Sequence, residues 1–109
     1  MSSISRNAEI QATYRDVNEG IALINAGWEV PTLELFCECG TAGCSERVEL
    51  TSEEYERVRS DPTHFVLRPG HQVDSVEHVL RREGDHLVVA NHGTAATSAG
   101  RTDPRSSAR

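Results

Sequence analysis

The chain has 109 residues, enough for one small domain and too few for two independent cores. Hydrophobic residues make up 37% and aromatic residues 5%, a lean supply for a core, so the fold has reason to carry a staple such as a bound metal. The formal net charge of −6 works against nucleic acid or an anionic membrane as the main partner, because either would be repelled at long range. All eleven basic residues are arginine, which reads as base-composition bias in the coding DNA rather than as a functional signal. The N-terminus MSSISRNAEI lacks the basic-then-apolar order of a secretory signal, and no apolar run nears the ~18 residues of a membrane span. A cytoplasmic location without membrane contact is expected, and there thiols stay reduced.

Residues 1–30 predict an amphipathic N-terminal helix. Ile10, Tyr14, Val17, Ile21, Ile24 and Trp28 follow at alternating steps of four and three, which gives one narrow apolar stripe. Such a stripe fits a helix that covers the domain's own sheet, or a helical pair in a homodimer. Gly27 is placed to end the helix, with Trp28 folded back on Ile24, and Pro31 blocks continuation.

Residues 31–90 read as an α+β domain. Thr32 to Phe36 and Arg47 to Leu50 alternate as strands. Thr51 followed three residues later by Glu54 is a capping box for a short helix that buries Tyr55 and Val58 and stops at Asp61-Pro62. His64 to Arg68 reads as a strand ending at the Pro69-Gly70 turn. The segment SVEHVLRREGDHLVVAN predicts a hairpin with a type II′ turn on Gly84-Asp85, whose register puts Val76, His78, Leu80, Leu87 and Val89 on one core face. Residues 91–109, NHGTAATSAGRTDPRSSAR, are small, polar and aperiodic and are expected to be a disordered tail. The fold class is therefore α+β, with an N-terminal helix, short strands around a metal knuckle, a short helix and a C-terminal hairpin in a small antiparallel sheet.

The chemistry concentrates in FCECGTAGC, residues 36–44, which holds all three cysteines. Cys37 and Cys39 are two apart, so in an extended strand both sulfurs point to the same side. Gly40 and Gly43 let the backbone bend and return Cys44 to them. Zinc favours such a sulfur-rich tetrahedral set, and Cys3His is one of its standard structural arrangements. For the fourth ligand His71, in the rigid Pro69-Gly70-His71 turn, is preferred over His64, with His78, Glu38, Glu46 and water behind them. His86 is expected to face away from the core, and His92 lies in the expected tail. Other readings of the cluster are free structural cysteines, a redox couple of Cys39 and Cys44 with Arg47 nearby, and an iron–sulfur cluster.

The run FCECG-x3-C-x-E-x-VELT-x-EEYE-x-VR-x-DP-x-HFV-x-x-PGH resembles that of a family of small uncharacterised actinobacterial proteins, which carry CEC-x4-C, then LT-x-x-EY, then PGH, behind an N-terminal helix. The resemblance covers about residues 6–90. It implies a metal-bound knuckle that includes the PGH histidine, His71 in this chain.

The reading that follows is a structural-zinc domain acting as a protein-interaction or regulatory adaptor, without enzyme activity. Two alternatives stand beside it. A zinc enzyme would keep one coordination position for water and use Glu38, Glu46 or a histidine as base. A DNA-binding regulator would gather Arg57, Arg59, Arg68, Arg81 and Arg82 into a patch. The sequence holds no nucleophile–base constellation and no phosphate loop.

Overall fold

Leu33, Leu35, Val48 and Leu50 alternate with charged or exposed neighbours, so an antiparallel pair of these segments presents one apolar face. That pair is β1 (Leu33–Phe36) and β2 (Arg47–Leu50), with Leu33 opposite Leu50 and Phe36 opposite Arg47. The computed structural model describes residues 3–28 and 30–105, and also contains α1 (Ser3–Asn25), α2 (Ser52–Arg59), β3 (His64–Leu67), β4 (Glu77–Glu83), β5 (His86–Asn91) and α3 (Gly93–Arg101). The second sheet is antiparallel in the order β3-β5-β4, and the fold class is α+β as expected.

The capping box forms as read from the sequence. The Glu54 N–H donates to Thr51 Oγ1 at 3.1 Å, and the Thr51 N–H donates to Glu54 Oε1 at 2.7 Å. Tyr55 and Val58 are buried by α2, which stops before Asp61-Pro62. The hairpin turn also forms, with Glu83 opposite His86, Gly84 at φ +53° and Asp85 at negative φ, the pattern of a type II′ turn.

Both faces of the second sheet are used. Val66 and Val88 join Leu33, Leu35, Val48, Leu50, Tyr55 and Val58 in one core. Phe65, Leu67, Leu87 and Val89 join Cys37, Cys39 and Ala99 in a second. This corrects the expected hairpin face. Val76, Leu87 and Val89 are buried, but His78 is exposed and Leu80 is 47% exposed. The reason is that β4 is an edge strand whose register slips between Val79 and Arg81, while the central β5 buries successive residues on its two faces.

The C-terminal stretch differs most from expectation. Instead of a disordered tail, residues 93–101 form α3, which buries Ala95 and Ala99, and Asp103 beyond it is buried too; residues 106–109 lie outside the described ones. Alanine-rich composition gave too little apolar bulk for the helix to show in the pattern.

The first helix, Ser3–Asn25, packs on β1 and α3. Its buried face is offset from the expected stripe. Gln11, Arg15 and Asn18 are buried, whereas Val17, Ile24 and Trp28 of the stripe are largely exposed. Nor does Gly27 adopt the left-handed conformation of a Schellman cap; positive φ among the described residues occurs at Gly43, Gly70, Gly84 and Gly93.

Candidate metal centre

The backbone first. Beyond β1 the Cys37 N–H donates to Glu46 O at 2.9 Å, and the Glu38 N–H donates to Val66 O at 2.8 Å. The segment is thereby stitched to both sheets in extended form, so Cys37 and Cys39 share one side and Glu38 takes the other. A turn over Thr41–Cys44 then reverses the chain, closed by the Cys44 N–H on Thr41 O at 3.2 Å, with Gly43 at φ +81° in its third position. A second turn over Arg68–His71 is built alike, with the His71 N–H on Arg68 O at 3.1 Å, Pro69 second and Gly70 at φ +91° third. Both follow the type II pattern, whose third position selects glycine. Gly40 acts differently from expectation, since it lacks a positive φ. A Cβ there would sit 2.0 Å from the Asn7 side-chain amide, which packs where another residue's side chain would begin and would have to move for it.

The two turns bring Cys37, Cys39, Cys44 and His71 together, with all four ligand atoms within 4.8 Å of one another. His71 Nδ1 lies 3.5 Å from Cys37 Sγ and 3.6 Å from Cys44 Sγ. A tetrahedral zinc with bonds of about 2.3 Å to sulfur and about 2.0–2.1 Å to nitrogen requires sulfur–nitrogen edges of about 3.5–3.6 Å. Two edges of the set, from His71 Nδ1 to Cys37 Sγ and to Cys44 Sγ, therefore match those of a zinc tetrahedron. Each sulfur also meets a backbone N–H: Arg68 on Cys37 at 3.2 Å, Thr41 on Cys39 and Glu46 on Cys44. Such donors favour the thiolate, the form a metal binds.

The thiols cannot all ionise without a cation. A hydrogen bond from Cys37 is the main cause that pulls Cys39 down to about 4. Cys37 is pushed up, first by that bond to Cys39 and then by burial. Burial also raises Cys44. A divalent cation is what would let the three neighbouring sulfurs carry negative charge together. Cys37 and Cys39 are buried in the second core, while Cys44 and His71 are partly exposed.

The other candidates stand elsewhere. His64 Nε2 pairs with Asp61 at 3.4 Å, and His78 stacks on His92 with ring centroids 4.4 Å apart. His86, expected to face away from the core, is buried, with Nδ1 3.4 Å from Asp85. Glu38 is fully buried, its Oε2 accepting from Asn18 and its Oε1 from the Val66 N–H, which turns it away from the sulfurs. Burial pushes its carboxyl up to about 7. Of the arginines weighed as a nucleic-acid patch, Arg59 is buried against Glu19 and Asp103, Arg68 pairs with Asp85, and Arg81 with Glu83.

Sequence reasoning found α1 but missed the face by which it supports the site. The Tyr14 hydroxyl donates to Cys44 O at 2.8 Å, and Gln11 Nε2 to Glu38 O at 3.1 Å. The Asn18 side chain pairs with the free edge of β1, donating to Phe36 O at 2.9 Å and accepting from the Phe36 N–H at 2.8 Å. With Asn7 these positions recur at helical spacing, a signal hidden because a search for apolar periodicity passes over amides. The chain matches no protein-family model, no curated protein and no solved structure.

Proposed function

We propose that the chain is a small cytosolic domain built around one structural zinc ion, serving as a protein-interaction or regulatory adaptor and not as an enzyme. The observation that supports this is the convergence of Cys37, Cys39, Cys44 and His71 within 4.8 Å of one another, with His71 at zinc-tetrahedron distances from two sulfurs and two of the cysteines within the core. Four protein ligands close the coordination sphere, whereas a catalytic zinc keeps a position for water. Glu38, the base closest in sequence, faces Asn18 instead of the sulfurs.

The test is metal content and ligand identity in protein purified under reducing conditions without added metal. One zinc per chain is expected, and His71→Ala should weaken zinc binding at least about tenfold, the loss of one ligand's contribution. Wild-type protein without metal overturns the assignment. Iron in place of zinc moves the site to the iron–sulfur reading.

The outer face of α1 is the surface we assign to a protein partner, with a second copy of the chain as first candidate. Leu23, Ile24 and Trp28 are 77%, 74% and 71% exposed there, next to Val17. Sedimentation at high protein concentration is expected to show a dimer for wild type and a monomer for Trp28→Glu. A monomeric wild type ends self-pairing and leaves the face for a different protein. Among the described residues no helix is long and apolar enough to cross a membrane.

A further inference from the structure

The first turns of α1 are held largely by the metal knuckle. Asn7 packs on Gly40, Gln11 Nε2 donates to Glu38 O at 3.1 Å, and Tyr14 donates to Cys44 O at 2.8 Å. The acceptors belong to the loop that carries the three sulfurs, and one of them is the carbonyl of a candidate ligand residue. Farther along, the anchors change. Arg15 donates to Pro62 O at 2.8 Å and Ala99 O at 3.0 Å, Glu19 accepts from Arg59 at 2.5 Å and Arg105 at 2.6 Å, and Ile21 and Ala22 pack on the first core. The first turns are also tied elsewhere, by Gln11 through Glu77 at 2.7 Å and Asn91 at 2.8 Å and by the Tyr14 ring stacked on Phe36 of β1.

From this division we infer that metal occupancy controls the docking of residues 7–14, while residues 19–25 stay anchored without metal. The knuckle is then a metal-responsive clasp on the N-terminal turns of α1 as well as a staple. The physical reason is cooperativity between the loop's shape and its partners. Residues 39–44 are held by one short turn and by the ligands, so without the ion the carbonyl of Cys44 and the backbone of Gly40 lose their fixed positions, and with them Tyr14 loses its acceptor and Asn7 its seat. A helix segment this short does not persist by propensity alone. Burial of the polar groups beneath it, Glu38 and Glu77 among them, depends on the same docking. Because coupling is reciprocal, weakening the contacts of α1 must also weaken metal binding.

The inference rests on the metal reading above, and the experiment separates the two. Hydrogen exchange is followed along the full chain with zinc bound and after chelation, with zinc content measured on the same samples. Chelation is expected to raise exchange of amides 7–14 at least tenfold while amides 19–25 and β5 stay protected. Tyr14→Phe is expected to keep one zinc per chain with an affinity lower by about fivefold, the worth of one hydrogen bond. Equal protection of residues 7–14 with and without measured zinc overturns the clasp and leaves the metal site standing. Loss of protection along the whole chain also overturns it, in favour of a staple alone. A wild type that holds no zinc removes the metal reading itself.

Discussion

Cys39→Ser is expected to yield a chain that does not retain zinc and melts well below the wild type, with the first turns of α1 undocked and β5 still protected. The Cys39 sulfur is buried in the second core among Cys37, Phe65, Leu67, Leu87 and Val89, with its thiol held low by the hydrogen bond from Cys37. Serine offers a hard, poorly ionised oxygen in its place. Zinc binding contributes folding free energy wherever its ligands are brought together by the fold, so its loss lowers the melting point even where the cores persist. With hydrophobic residues at 37%, the two small cores have little reserve to make up that loss. Circular dichroism together with a zinc-release titration checks it. A Cys39→Ser protein with wild-type melting behaviour would mean that the sulfurs fill space and hold nothing.

The second large effect lies at the other end of the molecule. Asp103→Ala should destabilise the protein by about 3–5 kcal/mol, the usual loss when one partner of a buried ion pair is removed and the other is left uncompensated. Arg59 has a fully buried side chain whose Nη2 donates to Asp103 and whose Nε donates to Glu19 at 2.5 Å. Arg59 Nη1 already has no partner among the described residues, so removing Asp103 leaves a second stranded donor in the interior. Urea unfolding is the measurement, with Arg47→Ala as the surface comparison, since the Arg47–Glu34 pair is exposed on both sides and should change stability by less than about 1 kcal/mol. Equal effects of the two substitutions would show that residues beyond α3 do not matter to the fold.

That second result depends on residues 93–105, which read from sequence as a tail. The misreading has a physical cause. The helix α3 buries only Ala95 and Ala99, and the chain beyond it is held by charge pairs, which leave no hydrophobic period. The same holds for α1, where period and length were legible but the docking face was not, because amides and a guanidinium do the docking at Gln11, Arg15 and Asn18. What rests on local chemistry came through: the Thr51–Glu54 box, the Gly84-Asp85 turn and the pairing of β1 with β2. At the site, the alternation of Cys37 and Cys39 and the rigidity of the Pro69-Gly70 turn were legible because each is set by residues next to one another. The second use of Gly40, as the place where Asn7 comes close, was not, because it needs a neighbour 33 positions away.

Glu38 stands between two cysteines and serves a different neighbour. Its carboxylate reaches Asn18 on α1 and the Val66 N–H, while the sulfurs on either side of it turn toward His71. One short extended tripeptide therefore works in opposite directions at once, and its length cannot drift. Inserting a single residue between Cys37 and Cys39 would roll the second sulfur onto the helix side and bring a charged or apolar stranger to the ion. The turn over Thr41–Cys44 is bound in the same way, since the Cys44 N–H donates to Thr41 O to close it and its third position takes Gly43 at positive φ. In this fold a C-x-C spacing is a fixed gauge, and a C-x-x-C knuckle would not be a neutral substitute for it.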